Sequence, residues 1–248
     1  MMAFRVEQWR AWAPGRDNPQ AWQAWAHAPT VVPDGQEQPA CASLPAMQRR
    51  RLSRLARMTM EVASPLCGDD EQLPFVFASR HGETTRTFAL LSDVTDEQAL
   101  SPTQFGLSVH NSIAGQWSIL RGQRGESVAI AGEADTFEHG MLEAAALLVA
   151  GAPTVLLVVA EETPPPAYDR WIADVPFSYA VALRLGRIDS PDHAPTDACW
   201  QLQLGRHEDD HVPCPWPHAL DFLRALQVGE HSMEHTWKAR RWNWQRTR

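Results

Sequence analysis

The sequence predicts an α/β layer fold. Strand-like and helix-like segments alternate along the chain, and the strands are short apolar runs. An Ala-rich helical stretch stops at Gly151 just before the apolar run TVLLVVA at 154–160.

The elements follow in chain order. Residues 4–12 carry Phe4 and Val6 and read as a strand running into WRAWAPG. A short helix is expected over 18–27, where Pro19 suits the first turn. Residues 28–45 are a Pro-rich connection. Residues 44–62 read as one helix, because Met47, Leu52, Leu55, Met58 and Val62 recur at helical spacing. LPFVFAS at 73–79 is a buried strand ending at a polar turn. A helix at 83–93 and a short one at 96–100 come next. SPTQFGLSVHN then reads as a turn and a strand, and NSIAGQWSIL as a helix. A short apolar run from Val128 leads to a polar turn, Gly132-Glu133-Ala134-Asp135, and then to a helix at 137–149. FSYAVALRLG at 177–186 and CWQLQLG at 199–205 are late strands, expected to be antiparallel neighbours across a polar loop at 187–197. HEDDHVPCPWP is a loop, and 218–226 a helix. With no internal repeat and no long linker, 1–248 reads as a single domain.

Composition narrows the function. In 248 residues, 44% hydrophobic content suffices for a sizeable core. A net charge of −8 speaks against general nucleic-acid binding. The four cysteines (Cys41, Cys67, Cys199, Cys214) lack CxxC spacing and read as reduced thiols of a cytoplasmic protein. The opening MMAFRVEQWRAWAPG is too polar for a signal peptide, and the longest apolar run is too short to span a membrane. Tryptophans gather near both ends (Trp9, Trp12, Trp22, Trp25; Trp237, Trp242, Trp244), which implies docked ends.

Four motifs carry candidate chemistry. At the turn 132–135, a carboxylate or backbone N–H at a helix N-terminus could hold a thioester oxygen. The competing reading is capping, with Asp135 accepting from free N–H groups and Glu133 favouring the dipole. Arg80-His81-Gly82-Glu83 has the look of a histidine-phosphatase acceptor motif, but nearly eighty residues precede it. Arg49, Arg50, Arg51, Arg54 and Arg57 are the basic cluster of an acidic chain, either a dock for an acidic protein or a solvated helix face. His207 to His211 with Cys214, and His231 with His235, lack the spacing of a metal site. No metal and no cofactor are expected.

The segments FASRHGETTRTFALL, ALSPTQFGLSVHNSIAGQWSI and the Gly-Glu-Ala turn together resemble the β-ketoacyl synthase-like N-terminal domain family. The likeness extends to WRAWAPG, to PAMQRRRLSRLARM and to the Trp-rich tail. Members are chain-length-factor-like proteins of aryl polyene and xanthomonadin-type pigment biosynthesis. The resemblance implies a thiolase-like half fold, a βαβαβ layer around a central buried helix. It also marks Glu133, Ala134 and Asp135 as a degenerate nucleophile elbow, because a ketosynthase carries a cysteine there. It implies a non-catalytic subunit that pairs with a ketosynthase, in a hetero-oligomer served by acyl carrier protein. His110, Asn111, Gly115 and Trp117 would then face the partner, and the Arg49–Arg57 cluster would dock the carrier protein. The rival readings are an acyl-thioester decarboxylase or acyltransferase using Glu133 or a histidine, and, more weakly, a histidine phosphatase.

Overall fold

The apolar runs lie side by side in one mixed sheet in the computed structural model, which describes residues 2–35, 37–188, 198–207 and 214–247. Among the described residues the strands are β1 (Met2–Trp12), β2 (Phe75–Ala78), β3 (Ser127–Ile130), β4 (Thr154–Glu161), β5 (Tyr179–Gly186), β6 (Ala198–Arg206), β7 (Ser232–Trp237) and β8 (Arg240–Arg246). Their order across the sheet is β3-β2-β4-β5-β1-β6-β8-β7. β2 runs parallel to β3 and β4, and the remaining pairs are antiparallel. The α/β class and the thiolase-like layer are therefore as expected.

β4 shows why the strands are uniformly apolar. Val155, Leu157 and Val159 enter one core, while Leu156, Val158 and Ala160 enter the core on the opposite face. A strand covered on both faces has no position to spare for a polar residue. The first face is covered by α1 (Pro19–His27), α7 (Thr136–Val149) and α8 (His218–Val228), through Trp22, Phe137, Met141, Leu148 and Phe222. The second is covered by α3 (Arg54–Ala63) and α6 (Ser112–Arg121), through Leu55, Met58, Ile113 and Trp117. No helix among the described residues is long and apolar enough to cross a membrane.

Local chemistry sets the helix boundaries. Asn18 Oδ1 accepts from the Ala21 N–H at 2.9 Å and opens α1. The helix expected over 44–62 is two pieces, α2 (Ala46–Arg49) and α3. Ser53 interrupts it, because its Oγ accepts from the Ala56 N–H at 3.0 Å and starts a new helix. SPTQFGLS is a helix, α5 (Pro102–Ser108), rather than a turn and strand, with Ser101 Oγ accepting from the Gln104 N–H. α4 (Thr84–Thr95) is present, but no helix follows at 96–100, where Glu97 has φ 55°.

One further expectation changes, and one element is new. The strands at 177–186 and 199–205 are not neighbours, because β1 lies between β5 and β6 and pairs with both. The loop between them lies largely outside the described residues, as do residues 208–211 of the His207–His211 segment. The C-terminal β7–β8 hairpin was not expected at all. It explains the tryptophan-rich tail: Trp242 and Trp244 are fully buried, and Trp244 stacks on Phe137 of α7 at 5.2 Å.

The central helix α7 is packed on one side rather than two. At Gly140 a Cβ would sit 3.0 Å from Ala78 Cβ and from Leu157 Cδ1, so glycine lets the helix press onto the sheet. Its other side, with Ala146 and Val149, is exposed, with no described residue covering it.

Candidate elbow and the buried network behind it

The turn between β3 and α7 is built around Thr136. Its Oγ1 accepts from the Gly132 N–H at 3.0 Å and donates to the Glu133 carbonyl at 2.7 Å. A Cβ at position 132 would lie 2.9 Å from His139 Cδ2 and 3.2 Å from Thr136 Cα, so the turn needs glycine there. Ala134 lies at the elbow and lines a cavity of about 220 Å³. Arg80, Glu161, Tyr179, Cys214 and Trp237 are on the same wall system.

Both elbow carboxylates are tied to the β7–β8 hairpin. Asp135 occupies the N-cap position but does not cap. Its fully buried carboxylate instead accepts from Arg240 Nε at 2.5 Å and from Trp242 Nε1 at 2.9 Å. Glu133 pairs with Lys238 and accepts from Trp237 Nε1 at 2.8 Å and Arg240 Nη2 at 2.9 Å. The Lys238, Trp237 and Arg240 donors hold its carboxyl down at about 2. A general acid or base works best with a pKa near the operating pH, so these three donors work against Glu133 as a proton carrier.

The Arg80–Thr84 turn closes the cavity from the other side. Glu161 accepts from Ser79 Oγ at 3.1 Å, from the His81 N–H at 3.3 Å and from the Arg80 N–H. Ser79 Oγ and the two backbone N–H groups of this turn are thus occupied by the chain's own carboxylate. His81 Nε2 and Arg80 Nη1 meet Asp174 at 3.1 and 2.8 Å, and Glu83 accepts from Ser53 Oγ at 2.5 Å. The motif is a strand-end turn wired into α3 and the cavity wall.

Burial pushes Glu161 up to about 7, against the lowering pull of His81 and of the backbone and Ser79 donors. A carboxyl raised in the folded state keeps a proton that the unfolded chain has lost. Stability therefore falls as pH rises from the ordinary carboxylate range, near 4.5, to about 7. Urea titrations of wild type and Glu161→Gln between pH 5 and 8 should diverge, by as much as about 3 kcal/mol at the upper end. Parallel curves would show that Glu161 is an ordinary carboxylate.

Behind the elbow lies a network that the sequence spacing did not reveal. Glu138, in the first turn of α7, is fully buried. It meets His218 Nδ1 at 2.9 Å and His235 Nδ1 at 2.6 Å. His235 Nε2 faces Asp221 Oδ2 at 3.2 Å, and the two imidazoles stack at 4.1 Å. Burial alone would raise Glu138 and lower His235. The paired charges override it, holding Glu138 well below the carboxylate range and His235 well above the imidazole range. The available signal was the period-2 pattern of HSMEHTW and RRWNWQR, which puts His235 and Trp242 on a strand's inner face.

The other expected site residues are dispersed. Trp117, expected to anchor a partner, is a core residue of this chain. It stacks on Phe75 at 5.0 Å, and its Nε1 donates to Gln123 Oε1 at 3.0 Å, so no other chain can reach it. His110 packs beside Gly82 and bonds the Ser79 carbonyl at 2.7 Å. Asn111 and Gly115 are exposed on and beside α6. In the basic cluster, Arg54 is committed internally to Asp34 at 2.5 Å and Ser178 Oγ at 2.9 Å. Arg49 donates to the Ala40 carbonyl, and Arg57 is half-buried, whereas Arg50 and Arg51 are exposed.

Comparison with known proteins gives this geometry a setting. A family model described as the β-ketoacyl synthase N-terminal domain matches residues 22–245. The chain is similar to a chain of the complex between a ketosynthase (ApeO) and its chain length factor (ApeC) from Xenorhabdus doucetiae. Identity is 28%, the TM-score is 0.85, and the match covers 99% of this chain and 100% of that one. It is also similar to the ishigamide ketosynthase/chain length factor, at 13% identity and TM-score 0.67 over 83% of this chain and 68% of that one. A β-ketoacyl synthase from Burkholderia phymatum gives 13% identity and TM-score 0.62, over 86% and 66%. At 13% identity the last two speak to the fold alone. A search of curated proteins found no match.

Proposed function

The chain belongs to the β-ketoacyl synthase N-terminal domain family, and we propose that within it the chain is a non-catalytic, chain-length-factor-like subunit. It pairs with a ketosynthase and helps shape the pocket in which a carrier-bound acyl chain of aryl polyene or polyketide type grows. The observation that carries this reading is the elbow. Ala134 stands between two carboxylates that are both consumed by Arg240, and no thiol sits at the helix start. A condensing enzyme needs a thiolate nucleophile there.

Three adjoining surfaces support the pairing. Among the described residues β3 is the margin of the sheet with one side of its backbone unpaired, and an open strand edge readily accepts another chain. The open side of α7 adjoins it through a groove lined by Ile130, His139, Leu142 and Ala146. α6 packs against β3 and presents Asn111, Gly115 and Ile119 to the outside. We place the ketosynthase on this end of the sheet. Arg50 and Arg51 are left as the basic residues that can steer an acidic carrier protein.

The test is a reconstitution. The isolated chain, given acyl and malonyl carrier protein, should release no carbon dioxide and form no ketoacyl product. Adding the cognate ketosynthase should restore both, and iodoacetamide should abolish them through the ketosynthase's own cysteine. Robust turnover by the isolated chain would overturn the reading.

A further inference from the structure

The fold gathers three kinds of metal ligand beside the elbow cavity, although no sequence spacing predicted it. Cys214 Sγ, an Asp221 carboxylate oxygen and a His235 ring nitrogen lie within 4.8 Å of one another. We propose that Cys214, Asp221 and His235 form a binding site for a divalent cation of the zinc type.

The geometry identifies the coordinating atoms. His235 is 1% exposed, and its Nδ1 is committed to Glu138 at 2.6 Å. That leaves Nε2, which faces Asp221 Oδ2 at 3.2 Å and releases its proton to solvent when an ion binds. A carboxylate behind an imidazole fixes the tautomer and aims the other nitrogen at a metal, the usual support of a histidine ligand. Metal–ligand distances of about 2.0–2.3 Å in a tetrahedron separate the ligands by roughly 3.3–3.7 Å. The 3.2 Å between Nε2 and Oδ2 is a hydrogen bond here that lies close to that spacing, and Cys214 Sγ, within 4.8 Å of both, would close in on the ion. Glu138, His218 and His235 also bring three ligand atoms together. There, however, the separations are 2.9 and 2.6 Å, too short for ligands sharing an ion and right for hydrogen bonds. Glu138 is therefore the supporting carboxylate, not a ligand.

The donor set selects the metal. A thiolate with an imidazole suits zinc, whereas magnesium and calcium take oxygen ligands. Asp221 is steadied from behind, since Arg224 Nε donates to its other oxygen at 3.1 Å. Cys214 is only partly buried and lines the cavity with Ala134 and His218, so solvent in the cavity supplies the fourth ligand. The three residues come from the segment before α8, from α8 and from β7, so a bound ion cross-links the elements that hold the elbow.

The test uses the full chain stripped by a chelator. Titration with zinc against a chromophoric competitor should find one ion per chain and raise the melting temperature. Cobalt(II) should give a near-ultraviolet thiolate absorption band. Cys214→Ser should remove that band with the circular dichroism unchanged, and Cys214→Ser and Asp221→Asn should each weaken zinc binding by at least about tenfold. A measurement without substitution accompanies these: zinc should slow iodoacetamide labelling of Cys214, mapped by peptide mass. The absence of stoichiometric zinc, equal affinity in Cys214→Ser, or unslowed labelling would each overturn the site. The subunit reading, which rests on the elbow, would stand in every case.

Discussion

Gly115→Arg is expected to abolish co-elution with the cognate ketosynthase while leaving the isolated chain folded. Within the chain the substitution is harmless, because a Cβ at 115 would find nothing within 4 Å. Position 115 is inside α6, where replacing glycine gains up to about 1 kcal/mol of helix propensity. At an interface the same change buries an unpaired guanidinium. That costs about 3–5 kcal/mol, or roughly a hundredfold or more in Kd. Size-exclusion chromatography should show one peak for wild type and two for the variant, with circular dichroism of the isolated chains identical. A variant that folds and still co-elutes would move the interface away from α6, to the β3 edge or the open side of α7. An unfolded variant would sink the surface assignment itself.

Glu138→Ala should be the most damaging single truncation at the site. It removes the carboxylate that both His218 and His235 contact in a fully buried place. Breaking a buried ion pair by deleting one partner costs about 3–5 kcal/mol, because the other charge stays buried. For a chain of this size that corresponds to a fall of roughly 10 °C in melting temperature. The effect also has a pH signature. Glu138 is lowered in the folded state, so its stabilisation is present above the ordinary carboxylate pKa and is lost in acid. His235 is raised, so its stabilisation is full below the ordinary imidazole pKa and is lost as pH climbs through the folded value. The gap between wild type and variant should be widest at about pH 5–6, between those ordinary values. Chelator-treated samples compared by denaturant titration across pH 4–9 (about that range suffices) test this. A gap below about 1 kcal/mol at its widest would mean that the network relaxes around the loss.

The sequence by itself determined the layer, and its resemblance to a family supplied the expectation of a degenerate elbow. β4 is legible because a strand buried on both faces must be apolar throughout, and TVLLVVA has no other economical reading. α7 is legible because Phe137, Met141, Ala144 and Leu148 keep helical spacing up to the stop at Gly151. That residues 133–135 include no cysteine is a matter of residue identity and needs no coordinates. Helix starts were partly legible: Pro19 announced α1, whereas Ser53 splitting 44–62 and Ser101 opening α5 were hidden by hydrophobic periodicity that ran straight across them.

Only the tertiary structure decided what the elbow's carboxylates do and what stands behind them. Asp135 looked like a cap, but a buried carboxylate takes the strongest donors within reach, and those arrive from Arg240 and Trp242, more than a hundred residues away. Trp117 looked like an interface anchor. Aromatic side chains fill cores and interfaces by the same physics, and only its stacking on Phe75 shows which applies. Glu138, His218, Asp221 and His235 carry no motif because their spacing in the chain means nothing. A helix, a second helix and a late hairpin bring them together, and the cost of burying each charge alone is what makes them meet.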